Sequence, residues 1–172
     1  MFRIPEAIEI LERTPKVLEQ LLSNLSDIWV ENNEGTDTWS PYDIIGHLIH
    51  GEQTDWISRA KMIIDMNPEP FPPFDREAQF KNPKTKSINE LLEEFGLLRK
   101  KNLEILKGSK INEENLKKKG IHPVFGEVTL KQLLSTWVVH DLSHIRQIAR
   151  VMAKQYKDDI GPWEEYLKIV NE

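Results

Sequence analysis

Two histidines, His140 and His144, stand four positions apart in a segment whose apolar residues recur at helical intervals. On an α-helix that spacing sets both imidazoles on one face, one turn apart, where both can reach a single cation. Their neighbours Trp137, Val138, Val139, Leu142 and Ile145 are apolar, and an uncoordinated imidazole in such company carries a desolvation cost. A third histidine, His47, sits among Ile44, Ile45 and Leu48, in a stretch that a bundle could bring alongside. Three imidazoles with one open position are the ligand set of a working zinc or similar ion. The competing reading of the same residues is a set of ordinary, partly buried histidines. The chain has no cysteine. Disulfides, thiolate-zinc sites and a cysteine nucleophile are therefore excluded, and any metal must be held by imidazole and carboxylate.

Other residues are weaker candidates. His50 follows His47 by three positions and reads as a polar helix-face neighbour or a support for the site rather than a fourth ligand. His122, followed by Pro123, lies in a loop that could overhang the site, although loop packing is the simpler role. Trp137 falls on the wheel near His144 and could wall a metal pocket or equally serve the core. Asp43 and Gln147 could orient a ligating imidazole, which usually donates its second ring hydrogen to an oxygen. Glu52 lies about 140 degrees around the helix from His47, which argues against direct ligation.

The elements that must position these residues read as helices. Residues 4–25 place Ile4, Ile8, Leu11, Leu18 and Leu22 at helical intervals, with Thr14 and Pro15 marking a restart or a kink. Residues 26–38 read as loop, with Asn32, Asn33 and Gly35 as turn formers. Ser40 and Pro41 repeat the cap-then-proline signal and open a helix expected to run to about residue 66. Prolines at 68, 70, 72, 73 and 83 forbid regular structure and suggest a long crossover. Ser87 and Glu90 form a capping box for a third helix that stops at Gly108. A short helical turn and a loop with Gly120, Pro123 and Gly126 then deliver the chain to Thr129, which caps a fourth helix reaching to about residue 155. Gly161 and Pro162 begin a short closing helix. The expectation is an all-α fold over residues 1–172, a single four-helix bundle with a long proline-rich crossover and a short C-terminal helix.

With 172 residues, 39% hydrophobic and 30% charged, the chain can close a core without a metal or disulfides. Its net charge of -5 with both signs interspersed offers no footprint for nucleic acid, and the lysines at 117–119 read as a solvated segment. No apolar run suits a membrane span or a secretory leader, which leaves the cytoplasm as the expected location.

Larger motifs carry a resemblance. Trp39, Ser40 and Pro41 followed by Gly46, His47, Leu48 and Ile49, then the stretch His122, Pro123, Val124, Phe125, Gly126, Glu127, Val128, Thr129 and Leu130, and finally Trp137 to His144 with the histidine pair, are together similar to the DinB-like family over most of the chain. The resemblance implies a four-helix bundle holding one divalent ion through His47, His140 and His144, with zinc or nickel as the ion. It further implies chemistry of the kind known in metal-dependent transferases and isomerases that take a low-molecular-weight thiol such as bacillithiol, mycothiol or glutathione. A thiol-dependent S-transferase acting on a small molecule is the leading expectation. The rivals are a hydrolase that activates water at the metal and a non-catalytic bundle that binds metal or a stress ligand. A homodimer is the assembly that the resemblance suggests.

Overall fold

The computed structural model of the protein describes residues 2–81 and 84–172, so Pro83 lies outside the described residues. The first helix, α1 (Ile4–Leu22), buries Leu11, Leu18 and Leu22 and continues unbroken past Thr14 and Pro15, so the chain makes one helix here and not two. A proline inside a helix removes the hydrogen bond to the carbonyl four residues back, here that of Leu11. That carbonyl is taken up from another helix, by the Arg99 guanidinium at 2.9 Å, and Thr14 turns its hydroxyl onto the Ile10 carbonyl at 3.2 Å rather than capping a new start. The stretch expected as loop contains a short helix, α2 (Asp27–Glu31), before an Asx turn in which Asn33 accepts the Gly35 N–H at 3.0 Å.

Ser40 caps α3 (Pro41–Thr54) as expected: its hydroxyl accepts the Asp43 N–H at 3.2 Å, and the Asp43 carboxylate accepts the Ser40 N–H at 3.0 Å. The helix stops short of residue 66. Asp55 breaks the register, and α4 (Trp56–Ile64) continues as a separate helix. The proline-rich crossover is irregular apart from a 3-10 turn at Ala78–Lys81. α5 (Ile88–Gly108) carries the Ser87–Glu90 capping box, and α6 (Glu113–Lys117) is the short turn foreseen after it.

Next comes an antiparallel hairpin, where a loop was expected, of β1 (Lys119–His122) and β2 (Gly126–Thr129), with Lys119 opposite Thr129 and His122 opposite Gly126. The hairpin also gathers in the crossover, because the Phe71 N–H donates to the Ile121 carbonyl at 2.8 Å. Gly120 permits this approach: a Cβ there would stand 2.7 Å from the Phe71 ring and 2.8 Å from Ile63 Cγ1. Thr129 caps α7 (Leu130–Lys154). The chain closes with two short 3-10 helices, Gly161–Glu165, which starts at the expected Gly161 and Pro162, and Lys168–Asn171.

α1, the α3–α4 pair, α5 and α7 pack as a four-helix bundle. One end of the core gathers Leu11, Trp56, Ile63, Phe71, Leu103 and Trp137; the other gathers Leu18, Leu22, Ile44, Phe95 and Ile148. Among the described residues no helix is long and apolar enough to cross a membrane.

Candidate metal centre

α3 turns His47 toward α7, which presents His140 and His144 one helical turn apart, and the three imidazoles converge. His140 Nε2 lies 3.2 Å from His47 Nε2 and 3.1 Å from His144 Nε2. Gln147 accepts at its Oε1 from His144 Nδ1 at 2.8 Å. A neutral imidazole has one N–H, so this bond leaves the His144 Nε2 lone pair facing the other two rings. A hydrogen on His140 Nε2 could satisfy one of its two neighbours but not both. Among the described residues Nδ1 of His140 is buried without a hydrogen-bond partner, while the Arg76 backbone sits close enough to His47 to favour its protonated form.

Converging nitrogen lone pairs repel unless a cation lies between them, and the donor set fits one. Nitrogens about 2.0–2.1 Å from a zinc-sized ion stand about 2.8–3.0 Å apart in octahedral order and about 3.3–3.4 Å apart in tetrahedral order, and the 3.1 and 3.2 Å edges here fall between the two. Burial, with the nearness of His144 adding to it, brings His47 down to about 4 and His140 to about 3. Burial also lowers His144. All three are thus neutral at pH 7, the form that ligates.

Behind the histidines the bundle holds a buried polar knot. Arg99, from α5, donates to both oxygens of Asp141, at 2.6 and 2.9 Å, and to Glu52 Oε1 through Nε at 3.0 Å and Nη2 at 2.8 Å. Asn102 donates to Glu52 Oε2 at 2.9 Å and the Trp137 indole to Oε1 at 3.2 Å. Burial pushes Glu52 up, while the Arg99 charge and these donors pull the other way. Trp137 stacks on Trp56 at 5.7 Å, and Trp56 sets its edge against His140 at 5.1 Å. The knot therefore fixes the rotation of α7 and supports the His140 ring.

On the opposite side the three histidines open into a cavity of about 600 Å³, whose apolar walls include Trp39 from the segment just before α3, Phe71 and Phe74 from the crossover, and Phe125 from the hairpin. A larger groove of about 960 Å³ runs between α1 and α5. It contains none of the three histidines, so the chemistry assigns the site to the smaller cavity.

Comparison with known proteins agrees with this architecture. Residues 10–148 match the model of the DinB superfamily. The chain belongs to the DinB superfamily. Among solved structures it is similar to YfiT from Bacillus subtilis, described as a probable metal-dependent hydrolase with an unusual four-helix bundle topology. The TM-score is 0.73 at 20% identity, covering 91% of this chain and 87% of that one. At that identity the likeness is one of fold. No curated protein matches.

The remaining candidates find distinct places in this DinB bundle. His50 packs on Phe74 at 5.0 Å and approaches Thr54, outside the histidine cluster. His122 does line the cavity, while its Nδ1 accepts the Val124 and Phe125 N–H groups at 3.1 and 3.2 Å. Asp43 is committed to the α3 cap and to Lys84, so it orients no ligand. Gln147 is the orienter of His144. Trp137 belongs to the core, fully buried, and Glu52 points into the polar knot. Sequence reasoning passed over Arg99, Asn102 and Asp141, as well as two charged residues of the cavity wall, Asp55 and Arg59.

Proposed function

We propose that the chain is a metal-dependent enzyme for small molecules, holding one divalent ion, zinc or nickel, through Nε2 of His47, His140 and His144. The observation that carries this reading is the convergence of three neutral imidazole nitrogens at the base of an open, aromatic-walled cavity. A closed shell of four protein ligands would instead suit a structural ion. The ion supplies Lewis acidity, which brings the pKa of a coordinated water or thiol toward neutrality.

Within that reading the reaction is transfer of a low-molecular-weight thiol to a second small molecule. The chain has no cysteine, so the sulfur must arrive with a cosubstrate. Trp39, Phe71, Phe74 and Phe125 shed water from the cavity and offer faces to an apolar second substrate, while Gln147 holds His144 in its ligating tautomer.

Hydrolysis is the second reading, and one residue favours it. Asp55 lines the same cavity, and burial raises its carboxyl to about 6 despite the opposing Arg59 charge, which suits a group that takes up and releases a proton near neutral pH. The description of YfiT points the same way.

Cobalt-substituted protein separates the two. Titration with bacillithiol or glutathione is expected to raise a sulfur-to-cobalt charge-transfer band that His144→Ala lacks. If no thiol raises the band while an ester or amide is turned over without thiol, hydrolysis is the function.

A further inference from the structure

Arg59 and His122 both line the metal cavity, and each carries a hydrogen-bond donor that no acceptor among the described residues takes up. The first belongs to Arg59, whose side chain is only 8% exposed. Its Nε lies 2.5 Å from Asp55 Oδ1, and its Nη2 donates to the Pro72 carbonyl at 3.3 Å. A guanidinium has five N–H donors, so Nη1 keeps hydrogens for a ligand. The guanidinium is held over the Phe71 ring, 5.3 Å from its centroid.

The second donor is His122. Because its Nδ1 accepts two backbone N–H groups, the neutral ring carries its hydrogen on Nε2. The ring is stacked on Phe125 at 4.5 Å and stands edge-on to Phe71, the same ring that Arg59 covers, at 6.3 Å. Two rigidly held donors therefore flank one aromatic ring in the wall of the cavity that the metal-facing histidines enter. The charged residues lining that cavity are Asp55, Arg59 and Arg76, an excess of positive charge before any metal is added.

We propose that Arg59 and His122 form an anion subsite that holds the carboxylate of an aromatic or otherwise apolar substrate while its other end reaches the three histidines. This rests on the reading of the cavity as the substrate site and names the substrate class: small organic acids. Asp55 offsets much of the Arg59 charge, so a singly charged carboxylate suits the subsite better than a phosphate dianion. Charge-assisted bonds from a buried guanidinium are among the strong ones, and an amide of the same shape cannot replace them.

The test is calorimetric titration of chelator-treated protein with 3-phenylpropionate and with 3-phenylpropionamide, two ligands of the same body that differ in charge. The acid is expected to bind at least about tenfold more tightly than the amide, and the preference should persist when metal is restored. In the double variant Asp55→Asn with Arg59→Gln, which removes both partners and strands no buried charge, the preference should vanish. Equal binding of acid and amide by the unaltered protein, a comparison that needs no variant, would overturn the proposal. So would a preference that survives the double substitution, or one that exists only with metal present, since the ion and not Arg59 would then hold the carboxylate. Failure of the chain to bind metal would leave the acid preference untouched, so the two ideas fail separately.

Discussion

Arg99 grips Asp141 by two parallel hydrogen bonds, Nη1 to Oδ2 at 2.6 Å and Nη2 to Oδ1 at 2.9 Å, immediately behind His140. The same guanidinium reaches Glu52 on α3 and the Leu11 carbonyl that Pro15 leaves without a helical donor. One side chain on α5 thus ties together the helices that bear His47 and His140. Removing one partner of a buried pair strands the other, at a cost of about 3–5 kcal/mol. Asp141→Ala should therefore lower stability in urea denaturation by about that much, and Asp141→Asn, which keeps one acceptor, by less. An Asp141→Ala protein as stable as the parent would show that the knot does not hold the bundle.

Gly120→Ala tests how the cavity wall is built. Its new methyl would press on the Phe71 ring and Ile63, and overpacking of this kind costs about 1–3 kcal/mol. The expected outcome is a lower melting temperature together with weakened ligand binding in the cavity, because Phe71 must shift. An unchanged melting temperature would mean that the crossover yields freely.

The sequence made the helix starts legible because caps are local chemistry: Ser40 with Asp43, Ser87 with Glu90, and Thr129 with Gln132 each satisfy end groups within four residues. The His140 and His144 pair was legible for a similar reason, since helical spacing and apolar neighbours are both read locally, whereas the joining of His47 to that pair, 93 residues away, was implied by the resemblance. The break at Asp55 was not, because Trp56, Ile57 and Ile63 continue an apolar pattern that carries no sign of a register change. The hairpin was missed because four-residue strands are too short to show alternation. Nor could Arg99 announce its partners: charged residues on helices are ordinarily solvated, and Glu52 and Asp141 lie 47 and 42 residues away. Pro15 left a restart and a single helix both open, since the donor that takes up the Leu11 carbonyl comes from another helix.

Metal-free protein should remain folded, since the apolar faces of four helices make the core without an ion. Chelation is expected to leave helical circular dichroism intact and to lower the melting temperature, because a ligand at a hundredfold excess over its Kd adds about 2.7 kcal/mol to the native state. Collapse of the helical signal on chelation would make the ion structural.

The buried imidazoles predict a pH dependence for the metal-free form. His47 titrates at about 4 and His140 at about 3 in the folded chain, below the ordinary value of 6.5. At these two groups the unfolded chain therefore binds more protons below pH 6.5, so their contribution to folded stability declines as pH falls from 6.5 toward 4, against an opposite and smaller contribution from Asp55, which burial raises to about 6. Melting temperatures of chelator-treated protein should fall across that window, and His140→Gln should flatten the fall. An identical slope in the variant would show that the imidazoles are not the cause.

The most direct test of the account is metal content. Protein purified without a histidine tag, loaded with zinc or nickel and freed of excess, should contain one equivalent by elemental analysis. His47→Ala, His140→Ala and His144→Ala should each lose most of it, while His50→Ala and His122→Ala keep it. Metal well below one equivalent that reconstitution does not restore, or full occupancy in the His144→Ala protein, would contradict the central claim.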